Sequence, residues 1–122
     1  MAWIQPIHTS GKLCSKTDPN YAEVRYQEKI SYCKRHVTHK MKEIVAKLYG
    51  IPTKDWNLYE FDHLIPLGIG GNSSIENLWP QPIKEAKEKD KIEDAAFLCM
   101  KNATCTQKQA IEMIWNWFKS EK

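Results

Sequence analysis

One stretch of the chain, residues 59–80, restricts the possible folds more than any other part of the sequence. Aromatic and branched side chains dominate its first half and predict a strand over 58–67. A glycine-rich turn follows at 68–73, and a short returning strand is predicted over 78–81. Pro80 in the returning strand is typical of a sheet edge, because proline cannot donate a hydrogen bond to the ladder. The stretch therefore predicts a small antiparallel hairpin near the middle of the chain.

Helical periodicity flanks the hairpin on both sides. Before it, residues 38–49 predict a helix with a buried apolar stripe of Met41, Ile44, Val45 and Leu48. After it, helix signals begin at Ile83 and end near Asn102, with an apolar face of Ala86, Ile92, Ala95, Ala96 and Leu98. The last helix opens with the capping-box sequence of residues 106–109 and is predicted to bury Ile111, Ile114, Trp115 and Phe118.

The order strand, loop, strand, helix, with additional helices on both sides, indicates an α+β fold in one domain spanning 1–122. Residues 1–22 show no period and predict irregular structure, and residues 24–33 leave helix and extended chain open. Hydrophobic residues make up 42% of the chain and charged residues 27%, which excludes an intrinsically disordered chain. The longest apolar run, 95–100, is too short to span a membrane.

The formal net charge of +3 is unevenly distributed. Between residues 24 and 54, eight basic residues stand against two acidic ones. Such a segment could contact the phosphates of a nucleic acid. A solvated basic helix face is the alternative, and the sequence leaves both open.

The four cysteines, Cys14, Cys33, Cys99 and Cys105, lack the two-residue spacing of a zinc knuckle. Their proximity in sequence favours the disulfides Cys14–Cys33 and Cys99–Cys105, and four buried free thiols are the alternative. Two disulfides would indicate an oxidising compartment, so a secreted or periplasmic bacterial protein is expected. The first four residues lack the basic start and apolar stretch of a signal peptide, so none is expected within this numbering.

An acid and a histidine stand side by side at Asp62-His63. Adjacent side chains of a strand point to opposite faces, so both serve one site only if the strand bends or ends there. Pro66 and Gly68 make such an end plausible. A carboxylate that holds a divalent cation, beside a neutral imidazole that takes a proton from water, is a pattern of metal-assisted phosphodiester hydrolysis.

The pattern Asp62-His63-x-x-Pro66-Leu67-x-x-Gly70-Gly71-x5-Asn77-Leu78 resembles the HNH endonuclease motif. The resemblance covers roughly residues 58–100, and the flanks resemble small secreted bacterial HNH nucleases. It implies the ββα-metal fold, also called the His-Me finger, in which a two-stranded hairpin and a helix form the catalytic centre.

The resemblance also implies roles for individual residues. His63 matches the general base that activates the attacking water. Asp62 matches the metal ligand beside it. Asn77 matches the middle asparagine, which holds the loop between the two strands and orients the base. An amide suits that task, because it donates and accepts hydrogen bonds at the same time.

The sequence departs from the family at the third position. The family has His or Asn about nine residues after the middle asparagine, and here that residue is Ala86, which cannot bind a metal. One turn later stands Asp90, a suitable ligand for a hard cation. Glu85 is the alternative ligand in place of Asp90. Asp62 and Asp90 are therefore expected to bind a divalent ion, Mg²⁺ in the first place, with Mn²⁺ or Ca²⁺ as alternatives.

A phosphate contact is expected from the lysine-rich segment that follows. Relatives often carry a basic residue three positions after the third ligand, which makes Lys89 the expected contact. Lys87 and Lys91 alternate with acidic residues and are expected to form an exposed face of ion pairs.

Two classes of function follow from the resemblance. The first is a metal-dependent, largely sequence-independent endonuclease acting on DNA, with RNA as the alternative substrate. The second is a non-catalytic nucleic-acid-binding module that lost its metal through Ala86. A small disulfide-stapled interaction protein is a third class. We expect a monomer without a membrane partner, and a cognate inhibitor protein is compatible with this class of nuclease.

Overall fold

The computed structural model describes residues 4–120 and shows a mixed α+β fold with two small antiparallel hairpins and several helices. In chain order the strands and α-helices are β1 (Tyr21–Arg25), β2 (Ile30–Cys33), α1 (His39–Leu48), β3 (Tyr59–His63), β4 (Leu78–Pro82), α2 (Ala86–Lys101) and α3 (Gln107–Ser120). Short 3₁₀ helices connect them at Thr53–Leu58, Leu67–Ile69, Ile75–Asn77 and Ile83–Glu85.

The predicted central hairpin is confirmed, with a shorter first strand. Strands β3 and β4 pair from Tyr59 opposite Pro82 to His63 opposite Leu78. The prediction carried the strand on to residue 67, but pairing stops at His63. The chain then turns through Pro66 into a 3₁₀ helix, so the Asp62-His63 pair lies where the strand ends.

A second hairpin resolves the ambiguous segment 24–33. Strands β1 and β2 pair from Tyr21 opposite Cys33 to Arg25 opposite Ile30. Their connection places Tyr26 and Lys29 at positive φ, the left-handed conformation that closes a tight turn. Of the segment expected to be irregular, residues 1–3 lie outside the described residues, and residues 4–20 contain turns and one isolated bridge.

Local capping signals set the helix starts as predicted. The Thr38 hydroxyl accepts a hydrogen bond from the Met41 N–H at 3.1 Å and caps α1. At α3 the capping box is reciprocal: the Gln109 N–H donates to Thr106 Oγ1, and the Thr106 N–H donates to Gln109 Oε1. The sequence therefore marks these helix starts directly.

The buried stripes differ from the prediction in α1 and α2. In α1 Val45 is buried, whereas Ile44 and Leu48 are 40% and 41% exposed. In α2 Leu98 is exposed, and the buried residues are Lys89, Ala96 and Met100. In α3 the prediction is confirmed for Ile114 and Phe118, and the Phe118 ring packs edge-on against Trp79 of β4.

Both predicted disulfides are present. The Cys14–Cys33 bond spans 19 residues and the Cys99–Cys105 bond spans 6. The first joins β2 to the segment beside Gly71, because Leu13 bridges Gly71 and the Cys14 N–H donates to the Gly70 carbonyl. Among residues 4–120, no helix is both long enough and apolar enough to cross a bilayer.

Reduction of the disulfides is expected to destabilise the protein. Cross-links restrict the unfolded chain, and loops of these lengths predict about 3 kcal/mol for Cys14–Cys33 and ~2 kcal/mol for Cys99–Cys105. Thermal unfolding with and without reductant measures the loss. Intact mass after alkylation without reductant is the control: an unmodified chain is expected, and four alkylated thiols would contradict both bonds.

Candidate functional site

Asp62 and His63 occupy opposite faces of β3. Along this strand Phe61 and His63 are buried, while Glu60 is exposed and Asp62 is partly exposed. The Asp62 side chain keeps 26% of its surface accessible, and His63 as a whole keeps 4%. The alternation of a regular strand thus persists to its last residue.

The His63 imidazole is buried and held by a serine. Its Nε2 lies 3.0 Å from the Ser73 hydroxyl oxygen, which also accepts the backbone N–H of His36 at 3.0 Å. Burial lowers the pKa of His63 to about 4, and the charge of Asp62 offsets part of that effect. The imidazole is therefore neutral at pH 7, which is the state that a general base requires.

Lys89 lies buried beneath Asp62, with 0% of its surface exposed. Its ammonium donates to Asp62 Oδ2 at 3.1 Å, to the His63 carbonyl at 3.0 Å and to Glu93 Oε2 at 2.5 Å. An ammonium has three hydrogens, so these acceptors use all of them. The structure thus places Lys89 in an internal ion cluster and not on the phosphate-accessible surface that the sequence suggested.

Glu93 completes this cluster from the next turn of α2. Burial raises the pKa of its carboxyl to about 7, and the adjacent Lys89 ammonium opposes that rise. Both carboxylates are largely shielded from solvent, because the Glu93 side chain is 20% exposed and the Asp62 side chain 26%. The arrangement is one cation shared by two carboxylates.

Asp90, the expected second metal ligand, is exposed on α2. Its charge contributes to the raised pKa of Glu93. Glu85 lies before α2 and lines a different cleft with Tyr59 and Ile83. Within residues 4–120, no group of three or more His, Cys, Asp or Glu side chains is arranged to hold a metal ion. Because Asp62 already accepts a hydrogen bond from the Lys89 ammonium, the donor set as folded does not fit a divalent cation.

Asn77 holds the loop that follows His63. Its Nδ2 donates to the carbonyls of Ile65 and Asn72 at 3.0 and 2.8 Å, and its Oδ1 accepts the N–H groups of Ile65 and Lys12 at 3.0 and 3.3 Å. The side chain is completely buried. Gly71 is required beside it, because a Cβ there would meet the Ile65 carbonyl oxygen at 1.9 Å. These are the contacts of a residue that fixes a loop.

A cleft of about 430 Å³ lies against the outward face of β3. Two carboxylates, Glu60 and Asp62, line it together with Arg35, His39 and Lys42. The His39 ring also stacks at a tilt on Trp56, with ring centroids 5.4 Å apart. The cleft therefore offers two permanent cations and an aromatic surface next to two carboxylates.

Sequence reasoning missed several residues of this site. Arg35 and Lys42 belong to the basic segment that it identified, but their position beside Asp62 depends on the fold. Ser73 and Glu93 gave no recognisable signal, since a serine in a turn and a glutamate in a charged helix are common.

No protein-family model, curated protein or solved structure matches the chain.

Proposed function

We propose that the chain is an endonuclease that hydrolyses phosphodiester bonds of DNA, largely without regard to base sequence. The observation that carries the proposal is the cleft that Arg35, His39 and Lys42 line together with Asp62 at the end of β3. Cationic side chains bind phosphates irrespective of the bases, so affinity without sequence preference follows from this lining.

In this proposal His63 takes the proton of the attacking water at the edge of the cleft. His63 does not line the cleft, but Arg35 does, and its charge contributes to lowering the pKa of the imidazole. The imidazole is neutral, and the Ser73 hydroxyl fixes its Nε2 edge, which leaves Nδ1 for proton transfer. Arg35 and Lys42 would stabilise the charge that develops on the phosphate oxygens. In this proposal the hairpin, with α2 following it, would correspond to the ββα arrangement of HNH nucleases.

The Mg²⁺, Mn²⁺ or Ca²⁺ expected from the resemblance does not fit the described donor set, so no step is assigned to it. Asp62 is engaged by Lys89, and Asp90 is exposed on α2. Export to the periplasm or the exterior belongs to the proposal, because two disulfides are typical of proteins from oxidising compartments. Monomeric action, with inhibition by a cognate protein, remains an expectation.

Two observations favour a second function, a nucleic-acid-binding module without catalysis. His63 is 4% exposed, which restricts the approach of a substrate water, and Lys89 neutralises the carboxylate that would otherwise act. Arg35 and Lys42 of the cleft can contact phosphates in either function.

A double variant, Arg35→Ala with Lys42→Ala, tests the cleft as the site of action. Each lost phosphate contact lowers the salt dependence of binding, so log Kd against log salt should lose a slope of about 2. Fluorescence anisotropy of a labelled duplex, measured in a His63→Ala background to prevent cleavage, gives that slope. Nicking of supercoiled plasmid by the variant with intact His63 should fall in parallel.

The matched control is Lys108→Ala with Lys119→Ala, which removes the same charge from exposed positions of α3. It should leave both the salt slope and nicking close to wild type. Equal losses in the two double variants would reject the cleft as a specific site. Binding without nicking by the wild-type chain, with or without EDTA, would support the binding module instead.

A further inference from the structure

The buried ammonium of Lys89 is the most unusual charged group among the described residues. A lysine is seldom fully buried unless its charge is compensated, and here two carboxylates and one carbonyl compensate it. Lys89 and Glu93 are one helical turn apart on α2, and Asp62 comes from β3. The cation thus joins the helix to the strand end that carries the Asp62-His63 pair.

The cluster resembles a binding site for a small cation, because two carboxylates meet around one position. Two carboxylate oxygens lie within hydrogen-bond distance of one nitrogen, at 3.1 and 2.5 Å. Magnesium ions in proteins are commonly held by one or two carboxylates, with water and substrate completing the shell. A divalent ion at these two carboxylates would have to displace the ammonium or lie beside it, where the like charges repel.

We propose that the Lys89 ammonium is the resident cation of this site, which binds Asp62 and Glu93 in place of a divalent metal, so that the protein neither binds Mg²⁺ or Mn²⁺ there nor needs them for cleavage. Lys89 acts as a positioning residue, because its contacts are with Asp62, Glu93 and the His63 backbone. The part that concerns cleavage rests on the proposed function, and the part that concerns metal binding does not.

Removal of the ammonium should create a metal site. In Lys89→Ala both carboxylates remain and a space is left between them, so a hydrated Mn²⁺ ion can enter. Mn²⁺ titrations of EDTA-treated protein, followed by the electron paramagnetic resonance signal of the free ion, measure binding directly. We expect no saturable site in wild type and one saturable site per chain in Lys89→Ala.

Three variants define the cause of that change. Lys89→Arg keeps a positive charge and should bind no Mn²⁺. Lys89→Ala combined with Asp62→Asn removes one carboxylate and should lose the new site. Lys91→Ala removes an exposed lysine of the same helix, whose partner is Glu88, and should behave as wild type. A merely structural role for Lys89 would not produce this pattern.

If Lys89→Ala does not fold, measurements on the wild-type chain and on Asp62→Asn still test whether the site binds a metal. Saturable Mn²⁺ binding by wild type that disappears in Asp62→Asn would overturn it. Plasmid nicking that EDTA abolishes and Mg²⁺ restores would overturn it too, while supporting the nuclease. Nicking that EDTA leaves unchanged supports it. Absence of nicking under all conditions would reject the nuclease, and the Mn²⁺ titration would then decide the inference.

Discussion

Replacement of His63 by alanine is expected to lower the rate of DNA cleavage about 10²–10⁴-fold, the usual contribution of a general base. Burial keeps the imidazole neutral at pH 7 by lowering its pKa to about 4, and Ser73 fixes one of its nitrogens. Loss of the ring would remove the proposed proton acceptor, while Arg35 and Lys42 would still line the cleft for the proposed phosphate contacts. Cleavage should therefore fall much more than DNA affinity.

His36→Ala is the matched control for this loss. It removes an exposed imidazole from the same neighbourhood, and its backbone N–H can still donate to Ser73. Supercoiled plasmid nicking, well below the unfolding temperature of each variant, should distinguish the two histidines. Because His63 is buried, its variant also needs an unfolding curve. Near-wild-type nicking by a folded His63→Ala protein would contradict the catalytic assignment.

Much of the fold follows from local signals in the sequence. The hairpin follows from a run of aromatic and branched residues that ends at a turn, and the starts of α1 and α3 follow from Thr38 and from the capping box at residue 106. Both disulfides join cysteines that are close in sequence. Each of these signals acts over a few residues, so tertiary contacts are not needed to recognise it.

The buried face of α2 could not be predicted in the same way. Counting apolar residues places Leu98 in the core and Lys89 on the surface, whereas the structure has the reverse. Lys89, Ala96 and Met100 share one face at helical spacing; Ala96 and Met100 pack in the hydrophobic core, whereas Lys89 meets the Asp62 carboxylate. Two of the three acceptors of the Lys89 ammonium, Asp62 and the His63 carbonyl, belong to a strand distant in sequence, so the helix sequence alone does not identify them.

The site shows the same division between local and distant information. The sequence identifies the Asp62-His63 pair, but the strand end expected from Pro66 and Gly68 does not bring the two side chains to one face. Nothing local identifies Ser73 as the partner of His63, or places Arg35 and Lys42 in one cleft with Asp62. The position of Ser73 depends on the loop between β3 and β4, which Asn77 holds.

Replacement of Asn77 by alanine should lower the free energy of unfolding by about 3–5 kcal/mol. The change leaves two carbonyls and two N–H groups around a completely buried position without the amide that satisfies them. For a domain of this size the unfolding temperature should fall by roughly 10–20 °C. Thermal and urea unfolding measure the loss, and Asn102→Ala, at an exposed position after α2, is the control.

An aspartate at position 77 separates hydrogen bonding from side-chain volume. Asn77→Asp keeps an acceptor for the N–H groups of Ile65 and Lys12, but it turns an oxygen toward the carbonyls of Ile65 and Asn72. It should therefore destabilise the protein at least as much as alanine does, since a buried charge is added to the lost donors. Wild-type stability of Asn77→Asp would show that the two donated bonds are dispensable.

Both Asn77 variants should also loosen the loop that carries Ser73. Ser73 would then no longer hold the His63 ring, so cleavage should fall although Asp62 and His63 remain.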